Sequence, residues 1–161
     1  MCDNKVGWNM VKVEMDEQGT LNESGILYTE NLGPCIGLCV AFGNWAGIIH
    51  SSHPPHDEKE IRELIAEAKK IIPQEKICKI QPVICGSDPF CEWDNPNDYR
   101  NKRFRAREKI ISILKDEGFD DPIAHWSNDN ETAAIFANLE INQIIVEVDY
   151  RDYLIPIFKN I

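Results

Sequence analysis

The sequence predicts an α+β fold: a mixed or antiparallel β-sheet, or a sandwich, with two main helices packed on it. Two observations predict it. Short apolar or alternating segments typical of strands occupy both ends of the chain, and two segments with apolar residues at helical spacing lie between them. The order of strands, helix, strand, helix and strands is that of a sheet covered on one side by helices. With 161 residues and no linker segment, we expect one domain over residues 1–161.

The first third of the chain is expected to consist of strands and turns. Gly19 and Asn22 predict a turn, and Gly43-Asn44 is typical of a two-residue hairpin loop. The expected strands are residues 8–15, 25–29, 35–42 and 45–50.

Helical periodicity and stop signals place the two helices. The first is expected to begin at Asp57, with Glu60 three residues later as a capping box, and to end at Pro73. The second is expected from Asp98 to about Glu117. The other strands are expected at 77–85, 122–126, 132–138 and 143–149, and the apolar tail 152–161 is expected to pack on the body.

Charge and hydropathy exclude several classes of function. A net charge of −10, from 17 basic and 27 acidic residues, disfavours nucleic-acid binding. We interpret the basic run Arg100–Lys109 as a solvated helix face. No apolar run approaches the roughly 20 residues that span a bilayer, and the N-terminus does not resemble a secretory signal. We expect a cytoplasmic protein without membrane insertion, the alternative being signal-free delivery as a secreted effector.

The six cysteines are interpreted as free thiols. A disulfide framework is typical of small secreted chains, and this sequence carries no export signal. Four of the cysteines lie in apolar runs, which indicates burial. The six are Cys2, Cys35, Cys39, Cys78, Cys85 and Cys91.

One cysteine and one histidine are expected to meet across the predicted hairpin. The turn at Gly43-Asn44 places Cys35 opposite a residue near Ser52, within about two positions of His50. Opposed strands lie roughly 5 Å apart, so side chains on one face can touch. We expect a bulge, or a slip of one residue, to bring Cys35 and His50 onto the same face.

Cysteine beside histidine is the arrangement of thiol catalysis. The pair can form a thiolate and an imidazolium, and the thiolate is the nucleophile. The turn that ends in Gly33, Pro34 and Cys35 can offer backbone N–H groups to an oxyanion. A third group must orient the histidine, either the Thr29 hydroxyl or a backbone carbonyl.

These residues resemble the chemotaxis receptor glutamine deamidases (CheD), whose pattern reads T-x-x-L-G-S-C-V, a strand, and G-G-x-x-H. The matching segments here are Thr29, Leu32-Gly33-Pro34-Cys35-Ile36 and Trp45-Ala46-Gly47-Ile48-Ile49-His50. The spacing of fifteen between Cys35 and His50 resembles that of the cytotoxic necrotizing factor toxins. Beyond residues 29–50 the resemblance is one of element order.

The resemblance implies a CheD-like fold and a protein-glutamine deamidase, a hydrolase with a possible transglutaminase side activity. It assigns the nucleophile to Cys35, the base to His50 and the third residue to Thr29, without metal or organic cofactor. It implies as partners a protein carrying the target glutamine, either chemoreceptor-like or a host protein, and a regulatory protein. Candidate substrate contacts are Asn44, Trp45 and Ser51.

Other interpretations stay open at this point. Pro34 stands where the family has serine and removes one backbone donor, which favours a catalytically degenerate binding module of the same fold. Cys35 is also interpretable as a core thiol. A metal-dependent hydrolase would use the histidines at a spacing of three, His50, His53 and His56.

Overall fold

Two five-stranded sheets and two main helices form the fold, which confirms the predicted α+β class. The computed structural model of the chain describes residues 9–52, 58–89 and 96–159. The strands are β1 (Met10–Lys12), β2 (Glu17–Leu21), β3 (Ile26–Leu32), β4 (Ile36–Phe42), β5 (Trp45–Ser51), β6 (Val83–Gly86), β7 (Ile123–Trp126), β8 (Ala133–Asn138), β9 (Gln143–Val148) and β10 (Arg151–Pro156). The helices are α1 (Glu58–Ile71), the short α2 (Gln74–Ile77) and α3 (Pro96–Asp116).

Both sheets are mixed. The first has the order β1-β3-β8-β9-β10, in which only β1 and β3 are parallel. The second has the order β2-β5-β4-β6-β7, in which only β6 and β7 are parallel. The hairpin of β4 and β5 therefore lies at the centre of the second sheet, with β6 beside β4.

The central strands β4 and β5 of the second sheet are buried on both faces. Alternate side chains of β4 and β5, such as Cys39 and Ile48, pack against the first sheet, where they meet Ile135 and Val146. The other faces of β4 and β5 pack against the apolar stripes of α1 and α3. A strand covered on both faces reads as a continuous apolar run, which is why 35–42 and 45–50 predict strands so clearly.

Three local predictions are wrong. Gly19 lies inside β2 rather than in a turn, because β2 is a largely exposed edge strand whose polar composition resembles a loop. The segment 77–85 is only a strand from Val83, after the turn of α2, and Cys78 is exposed instead of buried. The expected packing of the tail on the body is confirmed, and part of the tail does so as β10, which pairs with β9.

Among the described residues, no helix is both long and apolar enough to cross a membrane.

Substitution of Gly86 tests how closely β6 packs against the turn before β4. A Cβ built on Gly86 would lie 2.3 Å from the carbonyl oxygen of Cys35, at a φ of +91°. Gly118 has nearly the same φ, +92°, and its nearest neighbour would be 3.9 Å away. We expect Gly118→Ala to cost about 1–2 kcal/mol from backbone strain alone. We expect Gly86→Ala to cost above about 3 kcal/mol, because the clash is with backbone.

Urea denaturation of the two variants makes this comparison. Equal losses of unfolding free energy in the two variants would contradict this expectation. They would show that the turn at Cys35 can move away from the added methyl group at no cost in free energy.

Candidate active site

The register of the β4–β5 hairpin places Cys35 and His50 on one face. Gly37 pairs with His50 and Ile36 with Ser51, which is the last pair of the ladder. The same register extended by one position sets Cys35 opposite Ser52, as the sequence predicts. Cys35 and Gly37 are two positions apart and share a face, which is also the face of His50. The bulge or slip expected from the sequence is wrong, because the regular register already makes the two residues diagonal neighbours.

Thr29 reaches His50 from the other sheet. It lies in β3, fully buried, and its Oγ1 is 2.7 Å from His50 Nδ1 and 2.8 Å from the carbonyl oxygen of Val13. The hydroxyl has one hydrogen, and a carbonyl can only accept, so the hydroxyl donates to Val13. It must then accept from an N–H at His50 Nδ1. The contact therefore selects the neutral tautomer whose Nε2 carries a lone pair.

The second ring nitrogen of His50, Nε2, has no hydrogen-bond partner. His50 is 4 % exposed, and its Nε2 is buried without a hydrogen-bond partner, so it is not bonded to the sulfur of Cys35. Cys35 is itself 7 % exposed. A buried polar atom without a partner costs about 1–3 kcal/mol. Such an atom calls for an explanation, and a base that awaits its proton donor supplies one.

Burial shapes the protonation of both candidate groups. It raises the pKa of the Cys35 thiol, against a lowering influence of Arg103 and together with a raising influence of Asp16. It also lowers the pKa of His50, although Asp16 and Glu14 oppose this. Both directions favour the uncharged forms. The sequence predicts a thiolate–imidazolium pair. The structure instead favours a resting state in which both the thiol and the imidazole are neutral.

The turn before Cys35 is clamped by the end of β6. The amide of Ser87 donates to the carbonyl of Cys35 at 2.7 Å, and the amide of Asp88 donates to the carbonyl of Gly33 at 2.8 Å. Pro34 between them is exposed and has no N–H. Within the described part of the chain the Cys35 amide has no acceptor, so it is the backbone donor that this turn can offer to an oxyanion.

Residues that the sequence did not single out complete the surroundings. Ser87 is held by Arg107, which donates to its hydroxyl at 3.2 Å and also to its carbonyl oxygen. Asp16 accepts from the amide of Ser52 at 3.0 Å and from its hydroxyl, and the amide of Asp16 donates to the carbonyl of His50 at 2.8 Å. These contacts fix the end of β5 and join segments remote in sequence, which no local pattern reveals.

Arg103 is a correction to the sequence interpretation. The run Arg100–Lys109 was expected to be a solvated helix face, yet Arg103 is 8 % exposed. Its spacing to Ala106 and Ile110, three and seven residues, was the available signal, because it puts Arg103 on the buried stripe of α3.

Two of the candidate substrate contacts lie far from this site. Asn44 and Trp45 are at the hairpin loop, the other end of β4 from Cys35, roughly 20 Å away for seven residues of strand. Trp45 is buried in the cluster under the helices. Ser51 is next to His50 but lies on the opposite face, toward the helices. The structure therefore places Asn44 and Trp45 at the opposite end of the hairpin from Cys35, and their role as substrate contacts stays a prediction.

The remaining cysteines and histidines offer no alternative centre in the described ranges. Residues 9–52, 58–89 and 96–159 contain no group of three or more potential ligands that could hold a metal ion. His53 and His56 of the proposed histidine cluster lie outside the described residues, as do Cys2 and Cys91. Cys35, Cys39, Cys78 and Cys85 are free thiols.

Replacing Thr29 tests the assignment of the His50 tautomer. Thr29→Val keeps the branched shape and removes the hydroxyl, whereas Thr29→Ser keeps the hydroxyl. We expect nitrogen-15 NMR of the wild type to show His50 with the proton on Nδ1, Thr29→Ser to preserve this, and Thr29→Val to redistribute it. A proton on Nε2 in the wild type would contradict the assignment.

Acid titration tests the burial of His50. Burial lowers the pKa of His50 below its usual 6.5 in the folded protein. The contribution of His50 to the free energy of unfolding is therefore constant above pH 6.5 and is lost as the pH falls from 6.5 toward the folded pKa. We expect His50→Gln to flatten the fall of unfolding free energy over this range. His125, whose pKa burial also lowers, is the matched control: His125→Gln should leave the His50 share in place. An unchanged slope in His50→Gln would contradict the prediction.

Comparison with known proteins adds no family assignment. A scan against protein-family models gives no match, and a search of curated proteins gives none either. The geometry of Thr29, Cys35 and His50, and the resemblance of residues 29–50, therefore carry the functional argument.

Proposed function

We propose that this protein is a protein-glutamine deamidase in which Cys35 is the nucleophile, His50 the general base and Thr29 the residue that positions the base. One observation carries the proposal: the Thr29 hydroxyl fixes His50 Nδ1 at 2.7 Å and leaves a basic, unpartnered Nε2 on the face that Cys35 shares. The resemblance to CheD supports a glutamine carboxamide as the substrate group.

The first step forms an acyl-enzyme. His50 Nε2 takes the proton of the Cys35 thiol while the sulfur attacks the carboxamide carbon, which gives a tetrahedral intermediate whose oxygen is negative. The amide of Cys35 can donate to that oxygen. The proton on Nε2 then passes to the amide nitrogen, the C–N bond breaks, and ammonia leaves behind a thioester.

The second step restores the thiol. His50 takes a proton from a water molecule as that water attacks the thioester carbon. The C–S bond breaks, the sulfur regains a proton, and the side chain leaves as glutamate. The sum is one carboxamide and one water converted into one carboxylic acid and one ammonia. An amine in place of water gives transglutamination.

The neutral resting pair suits this mechanism. Proton transfer from sulfur to Nε2 occurs with attack, so no preformed thiolate is needed. Thr29 also explains why one tautomer is required, because a ring protonated on Nε2 could not accept the thiol proton.

A binding module of the same fold is the second candidate. The burial of Cys35, the absence of a bond between its sulfur and Nε2, and Pro34 in the turn favour it. Such a module would recognise a protein partner without changing it.

Cysteine substitution tests the proposed activity. We expect the wild type to release ammonia from some members of a panel of glutamine-containing peptides and to add 1 Da to them, since an NH₂ group is replaced by OH. We expect Cys35→Ser and His50→Gln each to lose about 10³-fold or more in kcat/KM. Cys78→Ser, which alters an exposed thiol outside the site, should retain full activity.

Two results would contradict the proposal. Full activity in folded Cys35→Ser would exclude Cys35 as the nucleophile. A wild type that binds a protein carrying glutamine but leaves its mass unchanged would favour the binding module.

A further inference from the structure

Arg103 places a positive charge at the end of the hairpin near which the candidate nucleophile lies. It projects from α3, is 8 % exposed, and its Nη2 lies 3.5 Å from the carbonyl oxygen of Ser52. Ser52 is the first residue after β5, and the hairpin ladder carries it to the position opposite Cys35. The guanidinium is therefore next to the end of the hairpin that carries the thiol. Burial raises the pKa of that thiol, and the positive charge of Arg103 opposes the rise.

This guanidinium keeps an unused donor. Its Nη1 is buried and has no hydrogen-bond partner among the residues described, and none of them forms an ion pair with it. The neighbouring Arg107 differs, because its donors are taken by Ser87 and Ser127. Arg103 also lies over the ring of Tyr99, with 4.9 Å from the guanidinium carbon to the ring centre.

A buried, unpaired cation has a clear chemical complement. Burying a charge without a partner is costly, and an anion that enters the site removes the cost. A carboxylate is the group that a guanidinium fork binds with two parallel hydrogen bonds. The chain has 27 acidic residues, and basic side chains such as Arg62 and Arg100 do pair with them. Arg103 pairs with none of the acidic residues in ranges 9–52, 58–89 and 96–159, so one buried donor of its guanidinium is left without an acceptor there.

We propose that Arg103 binds a carboxylate of the substrate, so that the preferred glutamine lies beside an acidic residue. This inference rests on the proposed deamidase function for the nature of the substrate. The anion site itself can be tested without any deamidation.

Two alkylating reagents of nearly equal size provide that test. Iodoacetate carries a carboxylate and iodoacetamide a neutral carboxamide, and both alkylate the same sulfur. We take the ratio of their rates at Cys35 and divide it by the ratio at the exposed Cys78 of the same protein, measured by peptide mass mapping. Any effect of Arg103 on the thiolate fraction cancels, because both reagents need the same thiolate.

The expected result is a normalised ratio of about 10 or more in the wild type, since a hydrogen bond to a charged group favours the anionic reagent. Arg103→Gln should reduce it to about 1, and Arg103→Met, which keeps the apolar stem, should do the same. Arg105→Gln is the matched control: it removes an exposed arginine from the same helix and should leave the ratio unchanged.

Each other outcome is decisive. A wild-type ratio near 1, or one that survives both neutral substitutions, overturns the carboxylate site and leaves the deamidase proposal standing. Failure of both reagents to reach Cys35 in the folded protein overturns the deamidase and this inference together. If neither Arg103 variant folds, the wild type decides alone. A high ratio that sodium acetate lowers and an equal concentration of sodium chloride does not supports the site, because acetate competes for it and a buried pair is little screened by salt. Any other result overturns it.

Peptide substrates then test selectivity. Matched peptides carry aspartate or asparagine next to one glutamine, and their kcat/KM values are compared. We expect the wild type to prefer the acidic peptide by about tenfold, and Arg103→Gln to accept both equally while still acting on the neutral one. Equal use of both peptides by an active wild type overturns the inference, whereas inactivity toward all peptides counts against the deamidase.

Discussion

The hydrogen bond between Thr29 and His50 is the contact on which the candidate site depends. It joins the two sheets across their shared core, because Thr29 lies in β3 and His50 in β5. Because the Thr29 hydroxyl donates its hydrogen to the carbonyl of Val13, its contact with His50 Nδ1 determines the tautomer of His50. The lone pair on Nε2 follows from that choice, and in the proposed mechanism so does the direction of proton transfer.

The turn that carries Cys35 is held in place by backbone hydrogen bonds. The carbonyl groups of Gly33 and Cys35 are fixed by the chain after β6, and Gly86 lets that chain come close enough. Gly37, directly opposite His50, has the same role toward the first sheet, since a Cβ there would lie 2.6 Å from a methyl of Leu32. These small residues let two sheets and three strands converge on one thiol.

The sequence analysis predicted local, regular features such as strands and turns. It missed features that depend on contacts between segments remote in sequence. The apolar runs of β4 and β5 and their two-residue turn were sufficient to place Cys35 opposite Ser52. The edge strand β2 escaped because exposed polar strands and loops share a composition. The burial of Arg103 was not predicted because charged side chains are usually exposed, although helical spacing already placed this residue on the buried stripe of α3. Protonation states depend on burial, which a letter pattern does not encode.

The division of the site between two sheets also has a consequence for how the protein matures. The hairpin of β4 and β5 is a local structure that can form early, whereas Thr29 meets His50 across 21 residues and only once the sheets dock. A partly folded chain can therefore hold cysteine and histidine side by side and still lack an oriented base. The oriented base of the proposed mechanism would then be completed only at the last stage of folding, when the two sheets dock.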